Sequence, residues 1–452
     1  MTSSTLSRPK PNVKSMADFR PFCGWRYQPQ KTDVGKVIAP PYDILSAEDQ
    51  KKLYERSPYN CVRLILNRRE ATDDANNNSY LRARDCFRVW REEQILIREP
   101  APCFYLYRQT FSHPEDGQKR TRTALLGRLK LEPFENRVVI PHEKTLAAPR
   151  QDRKKLLEAT RTNFSPVFGL YDDAEEISGL LKSRPHDAPL AEGEDEAGVL
   201  HRFWRIDDED EVRSLHEALS DRKIYIADGH HRYQTALEYA QEMRKQKNLS
   251  SDTELASDFV LMALVGFQDP GLLLLPTHRL MLPHSGWNPD KALDSLASFF
   301  NIEPAAAEKF KDVLARSGHE DRGVRFGFIL RKEGLKTFIL TLREKGEAKE
   351  KMPKGRPDVW YDLDVNVLAY LVFAHLWHLE ESSWESVLRF SQSSEEVLAK
   401  VRSGEAGAAF LLRPPELDIL RQMGEARELM PQKSTYFYPK LASGLVFYHH
   451  EE

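Results

Sequence analysis

The sequence predicts an α/β (α+β) chain, and three observations carry that expectation. Strand-like and helix-like stretches interleave along the whole length, no segment recurs at a fixed period, and the composition suffices for a substantial core. Of 452 residues, 40% are hydrophobic and 10% aromatic. Two or three domains of roughly 100–200 residues each fit that length. Lys and Arg total 66 against 69 Asp and Glu, a net charge of -3, so the broad cationic surface of a nucleic-acid binder is not expected. Cys23, Cys61, Cys86 and Cys103 are widely spaced without a C-x-x-C pair, which disfavours a disulfide framework and a zinc site and makes the thiols reduced and mostly structural. Met1 to Ser15 is polar and rich in Pro, Ser and Lys, unlike a signal peptide or anchor. No run approaches the roughly 18 apolar residues of a membrane span. A soluble, cytoplasmic protein is expected.

In order, residues 1–16 read as a disordered tail, 17–135 as an N-terminal α+β segment, 136–282 as a phosphate-binding module and 283–452 as a C-terminal α+β segment. Lys36 to Ala39 reads as a strand stopped by two prolines, with Tyr42 and Asp43 on the following loop and Ser46 capping a short helix. Tyr59 to Leu66 reads as a strand carrying Asn60 and Arg63, and Ser79 to Gln94 as a helix that can bury Leu81, Phe87, Val89 and Trp90. Cys103 to Phe111 and Ala124 to Leu131, joined by a polar loop with Asp116-Gly117, form a hairpin signal.

Val138 to Ile140 is apolar and leads into Pro141, His142, Glu143, Lys144 and Thr145. An acid bracketed by two potential phosphate binders is unusual chemistry for a plain loop. Arg150 to Arg161 is helical in composition, and solvation is the plain account of the face shared by Arg150, Arg153 and Lys154. Asn163-Phe-Ser-Pro166 closes that helix before a strand from Val167 to Tyr171, and the acidic 172–197 stretch reads as a connection with a helical part.

Lys223-Ile-Tyr-Ile-Ala-Asp228-Gly229-His230-His231-Arg232 is the stretch around which the chain is organised. Its apolar run predicts a short buried strand, and Tyr233, Ala236, Leu237, Ala240 and Met243 then repeat at helical spacing. A strand, a tight turn at Gly229 and a helix N-terminus make a place to hold an anion. A carboxylate beside a phosphate cradle points to phosphoryl transfer. The plain alternative makes Asp228 a helix cap and the histidines members of a satisfied network.

Phe259 to Phe267 reads as a buried strand, and Leu272 to Leu280 as a second with Thr277, His278 and Arg279 near its end. A surface strand end explains His278 and Arg279 as well as a site role does. Amphipathic helices begin at Asn288, followed by strands at Val324 to Leu330 and Thr337 to Leu342, helices at Asp364 to His378, Ser394 to Val401 and Glu416 to Glu425, and a strand at Ala408 to Leu412.

Pro141-His142-Glu143 together with Asp228-Gly229-His230-His231-Arg232 resembles the ParB/sulfiredoxin-like fold, and within it the free-serine kinases. Over nearly its full length the chain also resembles a large bacterial and archaeal family, a domain of unknown function often encoded beside serine-biosynthesis enzymes. Ala39-Pro-Pro-Tyr-Asp43, His142-Glu-Lys-Thr145, Asn163-Phe-Ser-Pro166, Ala227 to Tyr233, Leu275-Pro-Thr-His-Arg279 and Pro431-Gln-Lys-Ser-Thr-Tyr436 carry that second likeness. The kinase likeness covers about residues 138–245, with an insertion at 172–222 between its motifs. It implies that Asp228 accepts the proton of a substrate hydroxyl and that Glu143 is a second catalytic carboxylate, positioning the hydroxyl or a Mg²⁺. Gly229, His230 and Arg232 then hold phosphate. Further phosphate or nucleotide contacts are expected from His231, His142, Lys144, Thr145 and Arg153, and substrate contacts from Asn163, Ser165, His278, Arg279 and Lys433. A His follows Gly229 where the sulfiredoxin branch has a cysteine, so peroxiredoxin repair is excluded.

The resulting expectation is phosphoryl transfer between serine or phosphoserine and a nucleotide, ADP or ATP, or water in a phosphatase variant. The alternative is a nucleotide-binding regulatory module without turnover. A metal hydrolase ranks last, since His142-Glu143-Lys-Thr lacks the second histidine of H-E-x-x-H. The expected partner is a small phosphate-bearing molecule, with neither nucleic acid nor membrane, and a homo-dimer is left open.

Overall fold

The computed structural model describes residues 17–145, 147–172, 176–182, 188–220, 222–250, 252–284, 286–307, 309–310 and 323–450. The expected disordered tail lies outside them, as does part of the acidic connection. The described residues form two compact units, one comprising residues up to Ile140, 147 to Gly271 and Pro439 onward, the other Pro141–Thr145 and Leu272–Tyr438.

The first unit is built on a mixed sheet of nine strands among the described residues. Its order runs Val139–Ile140, Ile224–Asp228, Val167–Tyr171, Phe259–Gly266, Lys119–Lys130, Phe104–Ser112, Leu200–Ile206, Ala191–Glu194, with Phe19–Arg20 also pairing onto Lys119–Lys130. Strands Ile224–Asp228 and Val139–Ile140 run parallel, whereas Ile224–Asp228 and Val167–Tyr171 run antiparallel. Alternate residues Ile224 and Ile226, and Val260, Met262 and Leu264, share one core cluster because successive side chains in a strand point to opposite faces. Into that cluster pack Leu215 and Leu219 from helix Glu209–Ser220, and Tyr233, Ala236, Tyr239 and Ala240 from helix His230–Gln246. A second cluster gathers Val37, Phe87, Trp90, Leu156, Phe164 and Phe447.

The second unit holds an antiparallel sheet of six strands among the described residues, in the order Phe300–Pro304, Leu335–Leu342, Arg325–Arg331, Ala408–Leu411, His278–Met281, Leu388–Ser391. A separate two-stranded ribbon pairs Leu273–Leu275 with Tyr436–Tyr438. The mixed α/β class is as the sequence predicts, and so are the strand pair around Asp116-Gly117, the Ser46 cap and the helix from Ser79.

Three local expectations are corrected. Val34–Val37 is a helical turn capped by Asp33, whose carboxylate accepts from the Gly35 amide at 3.0 Å, and Tyr42–Ile44 is a single 3₁₀ turn. Val62–Ile65 is helical where a strand was expected. The fully buried Asn60 directs that turn, accepting from the Val62 amide and donating to the Lys36 and Ile38 carbonyls. Leu272 to Leu280 is two strands in different sheets, because Pro276 cannot donate to a ladder and the chain changes partner there.

Candidate functional site

Asp228 ends its strand just past an irregularity in the pairing with Val167–Tyr171, a feature that re-aims a side chain. Gly229 follows with φ of 89°, in the left-handed region, and is the cap residue of helix His230–Gln246 without any side-chain capping bond. A Cβ on Gly229 would stand 2.9 Å from the guanidinium carbon of Arg232. Glycine is therefore required both for the turn and for the room that Arg232 takes.

Asp228 does not cap the helix. Its Oδ1 accepts from Lys440 Nζ at 2.8 Å and its Oδ2 from Arg232 Nη2 at 2.7 Å. Burial alone would raise this carboxyl, but the Lys440 ammonium and then the Arg232 guanidinium outweigh it and hold the group far below the usual carboxylate range. Arg232 also donates Nη1 to the Pro166 carbonyl, which fixes its planar fork at both ends.

The Lys440 backbone is set from beneath. Gln109 Nε2 donates to the Lys440 carbonyl at 3.0 Å, and the buried Arg122 donates to Gln109 Oε1 and to the Pro439 carbonyl. Arg122 lies over the Phe168 ring at 5.0 Å, and burial brings its guanidinium down to about 10, partly opposed by Tyr107, Asp269 and Asp228. Sequence alone gives neither Lys440 nor Arg122 a role. Tyr438-Pro-Lys440 shows there as a polar residue after a proline, and nothing local ties it to residue 228.

A cavity of about 60 Å³ in the same unit is lined in part by Tyr42, Arg153, Asn163, Ser165, Arg232 and Thr235. Four residues expected at the site from separate segments are thus brought to one place. Arg153 stacks on Tyr42 at 3.8 Å and donates to the Ile65 carbonyl at 2.7 Å. Burial pushes the Tyr42 phenol up to about 12, against the opposing pull of Arg153. Asn163 uses Oδ1 on the Leu261 amide, and the Ser165 hydroxyl lies 2.6 Å from that of Ser443. His230 is buried and His231 half-buried at the start of the helix.

Glu143 belongs to the second unit, where its surroundings are equally organised. Lys433 adopts φ of 55° and turns the chain so that the amides of Ser434 and Thr435 reach Glu143 Oε1 at 3.2 and 3.3 Å. The Thr435 hydroxyl donates to the same oxygen at 3.1 Å, and His142 Nε2 lies 2.9 Å from that hydroxyl. All three of these bonds fall on Oε1, and Oε2 of Glu143 accepts no hydrogen bond among the described residues. No group of three or more His, Cys, Asp or Glu side chains among the described residues is placed to hold a metal by itself.

Arg279 is buried, donates to the carbonyls of Thr277 and Lys433, and is lowered to about 10 by burial, with Glu143 opposing. His278 accepts from the Leu412 amide at 3.2 Å and is lowered by burial, then by Arg279, to about 4. Both are buried, on a strand with a hydrogen-bonded neighbour on each side, so the surface strand end considered for them is corrected. Lys144 pairs with Glu381 at 3.4 Å on the surface, and Thr145 is half-buried. The cysteines are free thiols, Cys61 and Cys103 buried. No helix among the described residues is long and apolar enough to cross a membrane.

Among solved structures, a conserved hypothetical protein from Pyrococcus furiosus aligns over 68% of this chain and 92% of its own at 13% identity, with a TM-score of 0.32. A free serine kinase in complex with AMP aligns over 68% of this chain and 88% of its own at 11% identity and a TM-score of 0.33. SbnI from Staphylococcus aureus, truncated at its C-terminus, aligns over 70% and 85% at 9% identity and a TM-score of 0.30. Likeness at that level carries no functional argument. No curated protein matches the chain. Residues 19–366 match the family described as "Protein of unknown function (DUF1015)", and the chain belongs to that family.

Proposed function

We propose that this protein is a phosphoryl-transfer enzyme acting on a small hydroxyl compound, serine or phosphoserine, with a nucleotide or water as the other partner. The observation that carries the reading is the Asp228 carboxylate, bracketed by Lys440 and Arg232 at a glycine turn that opens a long helix. Amides of the first helical turn have no intrahelical acceptor and, with the two cations, favour a phosphate. The choice of serine rests on the resemblance of the Asp228–Arg232 and Pro141–Glu143 motifs to those of free-serine kinases.

In the reaction, the substrate oxygen attacks phosphorus as the bond to the leaving oxygen breaks, and the leaving oxygen keeps the electron pair. Asp228 orients the attacking hydroxyl and takes its proton as charge shifts, while Arg232 and His230 donate to the phosphoryl oxygens. Glu143 is assigned the positioning of the hydroxyl or of a Mg²⁺, which when bound would neutralise charge on phosphate. His142, Lys144, Thr145, His231 and Arg153 as phosphate contacts, and Asn163, Ser165, His278, Arg279 and Lys433 as substrate contacts, belong to the same proposal.

One observation favours a second reading, a nucleotide-binding module without turnover. A carboxylate held this far below its usual range by two cations is a feeble base. Incubating the protein with phosphoserine or serine, ADP or ATP and Mg²⁺, and following ³¹P resonances, separates the two. Transfer that disappears in Asp228→Asn supports the enzyme; nucleotide binding by calorimetry without any transfer supports the module.

A further inference from the structure

The two cations on Asp228 are not equivalent. Arg232 is locked, with one end of its guanidinium on the Pro166 carbonyl and the other on Asp228, and its stem is part of a helix. Lys440 is anchored through its backbone, by Gln109 on its own carbonyl and Arg122 on that of Pro439. Beyond that clamp lies a flexible four-carbon stem ending in a compact ammonium that stands 2.8 Å from Asp228 Oδ1, on a side chain 10% exposed. With its backbone clamped and an unbranched stem between backbone and charge, this ammonium can exchange one oxygen partner for another by side-chain rotation alone.

We propose that Lys440 is the phosphate-seeking residue of this site. On binding of a phosphate-bearing ligand its ammonium leaves Asp228 Oδ1 for a phosphate oxygen, and the vacated carboxylate oxygen accepts the hydrogen bond of the substrate hydroxyl. This inference rests on the phosphoryl-transfer reading and resolves its weakness: with Lys440 withdrawn, the largest opposite charge on Asp228 is removed and the carboxylate becomes a better acceptor. Arg232 stays in place and keeps the carboxylate aligned.

The test is a double-mutant cycle on the full chain with ADP as the probe, read by calorimetry at fixed salt for wild type, Lys440→Met, Asp228→Asn and the double variant. If Lys440 contacts phosphate, its loss weakens ADP about ten- to hundred-fold, the effect of removing one charge-assisted bond, and the double variant stays weaker than Asp228→Asn by a similar factor. If Lys440 serves only to neutralise Asp228, removing both charges restores the affinity, and a double variant equal to Asp228→Asn overturns the inference alone. Should Lys440→Met fail to fold for want of a partner for Asp228, the double variant, which removes both charges, still separates the two outcomes by its comparison with Asp228→Asn. Absence of ADP binding by the wild type overturns the anion site itself and this inference with it.

Discussion

Replacing Asp228 by Asn tests how the site is built as well as what it does. The side chains of Asp228, Lys440 and Arg232 are 19%, 10% and 13% exposed, so the cluster is largely desolvated. Asn keeps the size, can accept from one cation through its remaining carbonyl oxygen, and turns an N–H toward the other. One charge-assisted bond is lost, about 1.5–3 kcal/mol, and a cation is left without its counter-charge. Breaking a buried pair in this way costs about 3–5 kcal/mol in all, equivalent to a fall of roughly 6–20 °C in melting temperature for a unit of this size. A helix cap would behave differently, because Asn caps about as well as Asp. The depressed carboxyl also fixes the pH dependence. Its contribution to stability is complete above about pH 4, the ordinary carboxylate value, and is lost as pH falls below that toward the folded-state value. Wild type and variant should therefore differ most at neutral pH and converge in acid. Phosphoryl transfer should drop about 10²–10⁴-fold. Urea titrations at neutral and acid pH, with ³¹P NMR at a temperature where both proteins are folded, read every arm. A variant that melts with the wild type at pH 7 would refute the charge cluster, and full transfer would leave Asp228 structural and move catalysis to Glu143.

Gly229→Ala places a non-glycine residue at φ of 89°, costing about 1–2 kcal/mol, and pushes Arg232 away from Asp228; melting temperature and ADP affinity should both fall, and unchanged affinity would remove Arg232 from the binding site. His278, held at about 4 by burial, stays neutral while the unfolded chain protonates from its ordinary 6.5, so the wild type should lose at most ~3 kcal/mol as pH drops across that window. His278→Asn keeps an acceptor for the Leu412 amide but cannot titrate, and urea titrations at pH 7 and pH 5 should show a smaller loss; an equal loss would assign the pH dependence to other groups. Thr435→Val preserves shape and strips the hydroxyl shared by His142 and Glu143, for an expected cost of about 1–3 kcal/mol by urea titration. No cost would mean the hydroxyl is replaced there by water.

The sequence by itself determined what depends on neighbours along the chain. Lys223 to Met243 declared a strand, a glycine turn and a helix because the apolar run, the residue free to take positive φ and the helical repeat all lie within one short window. The strand pair around Asp116-Gly117 and the Ser46 cap were legible for the same reason. Local composition misled where it was ambiguous: Tyr59 to Leu66 has the β-branched and apolar content of a strand, yet Asn60 satisfies backbone groups of a distant turn and winds the following residues into a helix. Only the tertiary structure decided the partners of the charged groups. Lys440 meets Asp228 across 212 residues of sequence, and Thr435 meets Glu143 across 292. Neither pairing leaves a local trace, because a charge is satisfied by whichever donor comes within hydrogen-bond reach, and which segment brings that donor is set by the order of strands in each sheet and by where the later chain returns.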